Sequence, residues 1–158
     1  MSPPREAIQA AIESAQLSVC RNSRRGAAVF RTLGNGEVRI LGQGHNRLPG
    51  DGHCATACAN TSCGKRAMHA EQSAILKATW YAGAHEPSWP VLVLSGADLL
   101  HIRVDLGQKV PSREPRCVPC AALALHVGIA GVWLYHEHGW RRYLAEEFYK
   151  ISCERGDQ

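Results

Sequence analysis

Two short stretches decide the fold of this chain: Met68-His69-Ala70-Glu71 and Cys117-Val118-Pro119-Cys120. The two cysteines are three positions apart, so one helical turn brings them to the same face, where they can bind one ion. With His69 they offer one imidazole and two thiolates, a ligand set that zinc accepts. Three protein ligands leave one tetrahedral position open, as in a catalytic zinc site. Glu71, two residues beyond the histidine, is then placed to transfer protons.

Each of these motifs has other uses when it occurs alone. A C-x-x-C pair also serves as half of a structural zinc site or as a redox pair. A thioredoxin-like redox motif would follow the first strand of a βαβ unit, whereas this one follows a long polar connection late in the chain. The joint occurrence of the two motifs, each at the start of a predicted helix, therefore favours one shared metal site at His69, Cys117 and Cys120.

Composition and charge predict a single globular domain covering residues 1–158. Hydrophobic residues make up 45% of the chain and charged residues 20%, which is not the composition of a disordered protein. No apolar run has the length of a membrane span, and the first residues lack the apolar stretch of a secretory signal, so we expect a cytoplasmic protein. The net charge of +4 suits an anionic small substrate or a mildly basic surface, but not a duplex-binding stripe.

Hydrophobic periodicity extends this reading along the chain. Helices are predicted over 4–19, 69–82, 117–127 and 140–152, and strands over 26–32, 37–42, 101–104 and 129–135. The run 91–94 is a further candidate for a strand. Asn35-Gly36 between the first two strands predicts a two-residue hairpin turn with positive φ at both positions. Crossovers through helices predict a mixed sheet of about five strands with helices on both faces.

At this point the chain resembles the cytidine/deoxycytidylate deaminase superfamily. The segments that carry the resemblance lie within residues 5–136 and are 25–29, 42–49, 69–76, 117–120 and 127–135. The order H-x-E followed by C-x-x-C is the signature of zinc deaminases. The resemblance implies a three-layer α-β-α fold and a hydrolytic, zinc-dependent deaminase that forms a homo-oligomer.

The same resemblance implies a role for individual residues. His69, Cys117 and Cys120 would be the zinc ligands, and Glu71 would be the proton shuttle. Asn46 would hydrogen-bond the substrate base or sugar, and the Ala70 backbone would contact the edge of the base. Two features depart from the family pattern: Arg116 stands where proline is usual, and the connection before Cys117 is longer, as though a hairpin were inserted around Gln108.

Within the superfamily the dCMP deaminase branch is the most similar, because it often carries a cysteine-rich segment ahead of H-A-E. We therefore expect deamination of a cytosine-type nucleotide or nucleoside, with dCMP to dUMP as the leading reaction. Three alternatives stay open. They are deamination of cytosine or adenine in single-stranded DNA or tRNA, deamination of a free purine base such as guanine, and a zinc-stabilised binding module without catalysis.

The seven cysteines suggest a second metal site. Without a secretory signal, reduced thiols and metal ligation are a better interpretation than disulfides. A tetrahedral zinc would fix a long glycine-rich loop that has little core of its own. The predicted ligands of this structural zinc are His53, Cys54, Cys58 and Cys63, with His45, Cys20 or Cys153 as an additional ligand. Ordinary loop thiols are the alternative.

Other polar and aromatic residues allow two interpretations each. Arginine pairs bidentately with phosphate, so some arginines could neutralise a substrate phosphate, although solvated surface is their more common role. The candidates are Arg24, Arg25, Arg47 and Arg66. His136 and His138 follow the last predicted strand, where a solvated strand end is favoured over metal ligation. The aromatic side chains from 140 to 149 predict a packing stripe or a subunit contact rather than a base-stacking platform.

Overall fold

A computed structural model describes residues 1–20, 23–48, 67–85 and 94–156, without the side chains of 84 and 85. Within these ranges the elements are α1 (Arg5–Gln16), β1 (Arg24–Thr32), β2 (Val38–His45), α2 (Ala70–His85), β3 (Asp98–Asp105), β4 (Gln108–Val110), α3 (Val118–His126), β5 (Gly131–His136), β6 (Gly139–Leu144) and α4 (Ala145–Gly156). None of these helices combines the length and apolarity needed to cross a membrane. The predicted strand candidate 91–94 lies almost entirely outside the described residues.

The strands form one mixed sheet in the order β2-β1-β3-β5-β6, with β4 paired to β3. β3 and β5 are parallel, and every other pair is antiparallel. Parallel neighbours need a crossover, which α3 provides between β3 and β5. The predicted mixed sheet is therefore confirmed, with six strands in the described part where about five were expected.

Helices cover both faces of the sheet, so the fold has the three predicted layers. Alternate side chains of a strand point to opposite faces, and each face carries its own apolar cluster. The first cluster joins α1 to the sheet and includes Ala7, Ala11, Ala15, Phe30, Leu100, Ile102 and Trp133. The second joins α2, α3 and α4 to the other face and includes Val29, Ala74, Ile75, Ala78, Leu99, Ala124, Leu134 and Phe148.

Two glycines of β2 allow α2 to lie directly against the sheet. A Cβ atom at Gly44 would stand 2.4 Å from the Ala74 nitrogen, and one at Gly42 would stand 2.5 Å from the Ala78 nitrogen. Real side chains do not tolerate such distances to backbone atoms, so only glycine permits this approach. The two glycines thereby fix the position of α2, and with it the position of the histidine and glutamate at its N-terminus.

The hairpin between β1 and β2 differs from the prediction in its turn. Gly36 has φ +83°, but Asn35 does not have a positive φ. The Gly36 N–H donates to the Leu33 carbonyl over 2.8 Å, which describes a three-residue loop ending in a left-handed glycine. A turn with two positive φ values occurs instead between β3 and β4, at Leu106 (45°) and Gly107 (78°). That second hairpin lies where one was predicted, around Gln108.

The predicted helix 140–152 is wrong in its first part. β6 pairs with β5 along its whole length, and the helix begins only at Ala145. Trp140 and Tyr143 have helical spacing in the sequence, but Trp140 lies opposite Tyr135 across the strand pair with ring centroids 5.2 Å apart. Pairing with the otherwise open edge of β5 outweighs the local pattern, which sequence periodicity alone does not reveal.

One partly buried acidic side chain joins three of the strands. The carboxylate of Asp98, at the start of β3, accepts a hydrogen bond from the Trp133 indole of β5 over 2.7 Å. It also accepts two from the Arg142 guanidinium of β6, over 2.7 and 2.8 Å. Charge-assisted, bidentate pairing of this kind is among the stronger hydrogen-bond arrangements, so it fixes the register at the β6 edge.

Substituting Gly44→Ala tests the close packing of α2 on β2. The added methyl group meets backbone that cannot move without shifting α2, and we expect a loss of about 2 to 3 kcal/mol in the free energy of unfolding. Chemical denaturation measures this loss. Gly34→Ala is the matched control, because no atom lies within 4 Å of its Cβ position; it should change stability by less than ~0.5 kcal/mol. Equal stability of the two variants would contradict the packing argument.

Candidate active site

The first metal ligand lies at the N-terminus of α2. His69 directly precedes the first helical residue, Ala70, and its backbone N–H donates to the Gln72 side-chain oxygen over 3.0 Å. A glutamine three residues into a helix that reaches back to the residue before the helix is half of a capping box. The sequence H-A-E-Q thus holds the histidine backbone in place at the helix end. Ala70 itself is fully buried.

The other two ligands lie at the N-terminus of α3. Cys117 is the N-cap residue with extended backbone (φ −89°, ψ 90°), and its carbonyl accepts the first helical hydrogen bond, from Ala121 over 3.0 Å. Pro119 occupies an early position where the missing N–H costs no helical bond. Cys120 completes the first turn, so both sulfur atoms face the positive end of the helix dipole, which stabilises thiolates.

The three predicted ligands meet at one point. His69 Nδ1 lies 3.2 Å from the Cys117 sulfur and 3.3 Å from the Cys120 sulfur, and the two sulfur atoms are 2.8 Å apart. Among the described residues, this is the group of histidine, cysteine and acidic side chains that could hold a metal ion. One imidazole and two thiols, with no fourth ligand from the described residues, fit the donor set of a catalytic zinc.

The two cysteines share their ionisation. The hydrogen bond between their sulfur atoms lowers the pKa of Cys117 to about 5 and raises the pKa of Cys120; burial opposes the first shift and adds to the second. Without a metal, the pair therefore carries one negative charge and one proton at neutral pH. A cation that displaces this proton gains two thiolate ligands, which makes metal affinity rise with pH.

Glu71 lies in the same cavity as the cluster, in the first turn of α2. It is only 7% exposed. Burial raises the pKa of Glu71, but the His101 ring, the Glu71 backbone N–H and nearby positive charge lower it by more, so the net pKa is below the usual range. The carboxyl group is consequently ionised at neutral pH and is available as a proton acceptor.

His101 was not predicted as a site residue, yet it faces Glu71. Its Nε2 lies 3.8 Å from a Glu71 oxygen, the residue is 4% exposed, and Nε2 has no hydrogen-bond partner among the described residues. Burial lowers the pKa of His101 more than the Glu71 carboxylate raises it. The sequence feature that could have indicated this role is its position in the predicted strand. His101 is two residues beyond Leu99, so both side chains lie on the face that packs against α2, α3 and α4.

A cavity of about 450 Å³ surrounds the cluster and Glu71. This volume lies in the range of small-molecule sites. Its walls come from β1, the N-termini of α2 and α3, β3, and the segment Pro111–Arg116 between β4 and α3, which we call the 111–116 segment. Its lining residues include Ser23, Arg25, His69, Glu71, His101, Arg103, Ser112, Arg113, Glu114, Arg116, Cys117, Leu134 and Phe148.

The 111–116 segment is attached to the end of β5 through His136. The Ser112 N–H donates to the Tyr135 carbonyl over 2.6 Å, and the His136 ring donates from Nδ1 to the Ser112 carbonyl over 3.1 Å. The other ring nitrogen accepts from the Tyr143 hydroxyl over 2.9 Å. His136 therefore positions the cavity wall, rather than standing at a solvated strand end, while His138 is exposed.

Asn46 is placed beside the cavity rather than in its lining. Its side-chain oxygen accepts from the Ser18 hydroxyl and from the Arg25 N–H, both over 2.8 Å, and its amide donates to the Ser23 carbonyl over 2.9 Å. It thereby fixes the start of β1, where Arg25 enters the cavity. Its predicted contact with the substrate, like that of the Ala70 backbone, stays a prediction.

The other predicted site residues lie partly inside and partly outside the described ranges. The ligands of the second zinc, His53, Cys54, Cys58 and Cys63, lie outside the described residues. Of their proposed additional ligands, Cys20 accepts a hydrogen bond from the Ser23 N–H over 3.4 Å. Among the arginines considered for phosphate, Arg25 lines the cavity, Arg24 and Arg47 do not, and Arg66 lies outside the described residues.

Comparison with solved structures agrees with this architecture. A crystal structure of cytidine deaminase from Burkholderia pseudomallei superimposes with a TM-score of 0.55 over 92% of this chain and 95% of that one. The fold is cytidine deaminase-like. At 16% sequence identity this likeness concerns the fold alone.

More distant structural matches are cytidine deaminases from two mycobacteria. The Mycobacterium tuberculosis enzyme matches at TM-score 0.43 and 18% identity, over 87% of each chain. The Mycobacterium leprae enzyme matches at TM-score 0.42 and 20% identity, over 87% of this chain and 90% of that one. Neither the protein-family models nor the curated proteins match this sequence.

His69→Ala tests the metal cluster. Removing one of three ligands should lower the metal content of purified protein by about one ion per chain, because two thiols alone do not complete the site. Elemental analysis of wild type and variant measures the difference, which is independent of any second site. His126→Ala removes an exposed histidine at the end of α3 and should leave the metal content unchanged. Equal metal content in His69→Ala and wild type would rule out this cluster as the metal site.

Proposed function

We propose that this protein is a zinc-dependent hydrolase that deaminates a cytosine-type nucleotide or nucleoside, with dCMP to dUMP as the leading reaction. One observation carries the proposal: His69, Cys117 and Cys120 converge at the edge of a cavity that also contains the ionised carboxyl group of Glu71. A binding module stabilised by zinc would have no need of an acid–base group beside an incompletely ligated ion.

The metal in this proposal is held by His69, Cys117 and Cys120. Bound there, a zinc ion would supply Lewis-acid chemistry that turns water into a nucleophile near neutral pH. Neutral imidazole and thiolate are the protonation states that ligation requires, and the helix N-termini favour the thiolates. The protein's part is to present these three groups from the N-terminal ends of two helices.

Glu71 moves the protons of the reaction. Its carboxylate accepts a proton from the attacking water and delivers it to N3 of the ring. It then accepts the second proton of that water, from the hydroxyl group now on C4, and delivers it to the amino group on C4. The C4–N bond breaks, a C4 carbonyl forms, and ammonia leaves, so that one water is consumed for each ammonia released. A low pKa suits the first step, in which Glu71 has to begin as the base.

Cytosine in a polynucleotide is a second candidate substrate, but the cavity favours a small molecule. Proteins that hold single strands stack successive bases on aromatic side chains. Phe148 is the aromatic residue among the described lining residues, and it is buried in the core behind the site. A cavity whose described lining offers no aromatic platform suits one base better than a row of bases.

A homo-oligomer is also part of this proposal. Leu76 and Trp80 lie one turn apart on α2 and are 51% and 81% exposed. Neighbouring apolar side chains at such exposure are typical of surfaces that a partner covers. A cytoplasmic location remains a prediction from the sequence.

Ammonia release from a panel of cytidine, deoxycytidine, CMP, dCMP, cytosine, adenosine and guanine tests the proposed function. We expect turnover of the cytosine nucleotides or nucleosides. Glu71→Gln keeps the size of the side chain but cannot accept a proton, and should reduce kcat by about 10²- to 10⁴-fold while the metal is retained. Glu13→Gln, on α1 at the opposite face of the sheet, is the control. Undiminished turnover by Glu71→Gln would contradict the mechanism, and release from guanine or oligonucleotides alone would replace the substrate class.

A further inference from the structure

Two arginines face each other across neighbouring strands at the rim of the cavity. Arg25 of β1 is the direct register partner of Arg103 of β3, and both line the cavity. Like charges directly opposite on a strand pair are destabilising unless something neutralises them. Arg25 donates from Nε to the Ser23 hydroxyl over 3.1 Å, whereas the buried Nε of Arg103 has no hydrogen-bond partner in the described part of the chain.

The side chains on one face of β3 change from apolar to charged towards the rim of the cavity. Leu99, His101 and Arg103 lie on the same face of β3, since side chains two residues apart share a face. Leu99 belongs to the core, His101 lies beside Glu71, and Arg103 is the outermost of the three. Two residues along a strand span about 6.6 Å. Arg103 is therefore displaced along the strand from His101, and so from Glu71, by roughly the length of a sugar.

The 111–116 segment adds two more positive charges to the same cavity. We call the resulting set the arginine cluster; its members are Arg25, Arg103, Arg113 and Arg116. The acidic residues of the described lining are Glu71, assigned to the reaction, and Glu114, whose carboxylate interacts with the Tyr143 hydroxyl. Among the described residues the salt bridges within 4 Å involve other side chains, so none of these four guanidinium groups is paired with a carboxylate at that distance.

We propose that the arginine cluster binds the phosphate group of the substrate, so that this site acts on a nucleoside monophosphate in preference to a neutral nucleoside. The proposal rests on the proposed deaminase function for the identity of the base. Guanidinium groups match phosphate oxygens in pairs, and a dianionic phosphate removes the repulsion between Arg25 and Arg103. The base then lies at the level of Glu71 and His101, and the phosphate lies at the rim.

The cluster favours a terminal phosphate over the backbone of a single strand. Its charges are concentrated around one cavity instead of along a groove, which a strand needs for successive phosphodiesters. A terminal phosphate carries up to two negative charges near neutral pH and offers three oxygens, so it can use more of the four guanidinium groups at once. The inserted β3–β4 hairpin leads directly into the segment that provides two of them.

Calorimetric binding of dCMP and deoxycytidine to the metal-loaded Glu71→Gln protein tests the subsite without turnover. The two ligands share base and sugar and differ in the phosphate alone. We expect dCMP to bind at least about 10- to 100-fold more tightly, the range for charge-assisted hydrogen bonds. Adding Arg103→Ala should reduce this ratio about 10-fold or more, and Arg113→Ala, on an exposed loop position, should reduce it without affecting the fold. Arg39→Ala, exposed on β2 outside the cavity, is the matched control.

The outcomes separate this proposal from the proposed function. A binding ratio near one would overturn the phosphate subsite, even if deoxycytidine is deaminated by the wild type. A ratio that survives in both arginine variants would equally overturn the assignment to this cluster. Tighter binding of a cytosine-containing oligonucleotide than of dCMP would replace the monophosphate by a polynucleotide. A high, arginine-dependent ratio supports the subsite, and absence of ammonia release from wild type would then count against the proposed function alone.

Discussion

The N-terminal ends of α2 and α3 have to lie side by side above the same edge of the sheet, because an imidazole from one helix and two thiols from the other must reach a single point. Helix dipoles repel when like ends meet, so this arrangement needs compensation. Thiolate charge on Cys117 and the ionised carboxylate of Glu71 provide it from within the first turns. The two helix N-termini repel each other, but both stabilise the anionic groups that lie between them and that the site requires.

Packing rather than the site itself holds these helix ends in place. Gly42 and Gly44 let α2 approach β2 to backbone contact, and α3 is fixed as the crossover between the parallel strands β3 and β5. The 111–116 segment, attached by His136, closes the cavity between them. Each ligand therefore lies at the end of a helix that is held by packing, which keeps the geometry of the site fixed.

Local sequence pattern was sufficient for those features that depend on neighbouring residues. The four helices, the mixed sheet and the convergence of His69 with the two cysteines follow from periodicity and from the spacing of H-x-E and C-x-x-C. β6 could not be predicted in the same way, since it forms by pairing with β5 and its aromatic residues imitate a helical stripe. The turn at Asn35-Gly36 was predicted by its sequence, yet loop length decides its geometry.

The part of the site that sequence reasoning missed depends on strand register. His101 and Arg103 enter the cavity because β3 pairs with β1 across a long stretch of chain, and a shift by one residue would turn both side chains to the other face. Of the three described arginines that were candidates for a substrate phosphate, Arg25 lines the cavity and Arg24 and Arg47 do not, because proximity to a motif in the sequence is a poor guide to which cations share a cavity. The second set of cysteines lies outside the described residues and stays a prediction.

The most direct test of the central claim is a crystal structure of the zinc-loaded protein with anomalous diffraction recorded at the zinc edge. The account predicts an anomalous peak bonded to His69 Nδ1 and to the sulfur atoms of Cys117 and Cys120, with sulfur distances of about 2.3 Å and a fourth position that no protein side chain occupies. A peak completed by a fourth protein ligand, or no peak between these three residues, would contradict it.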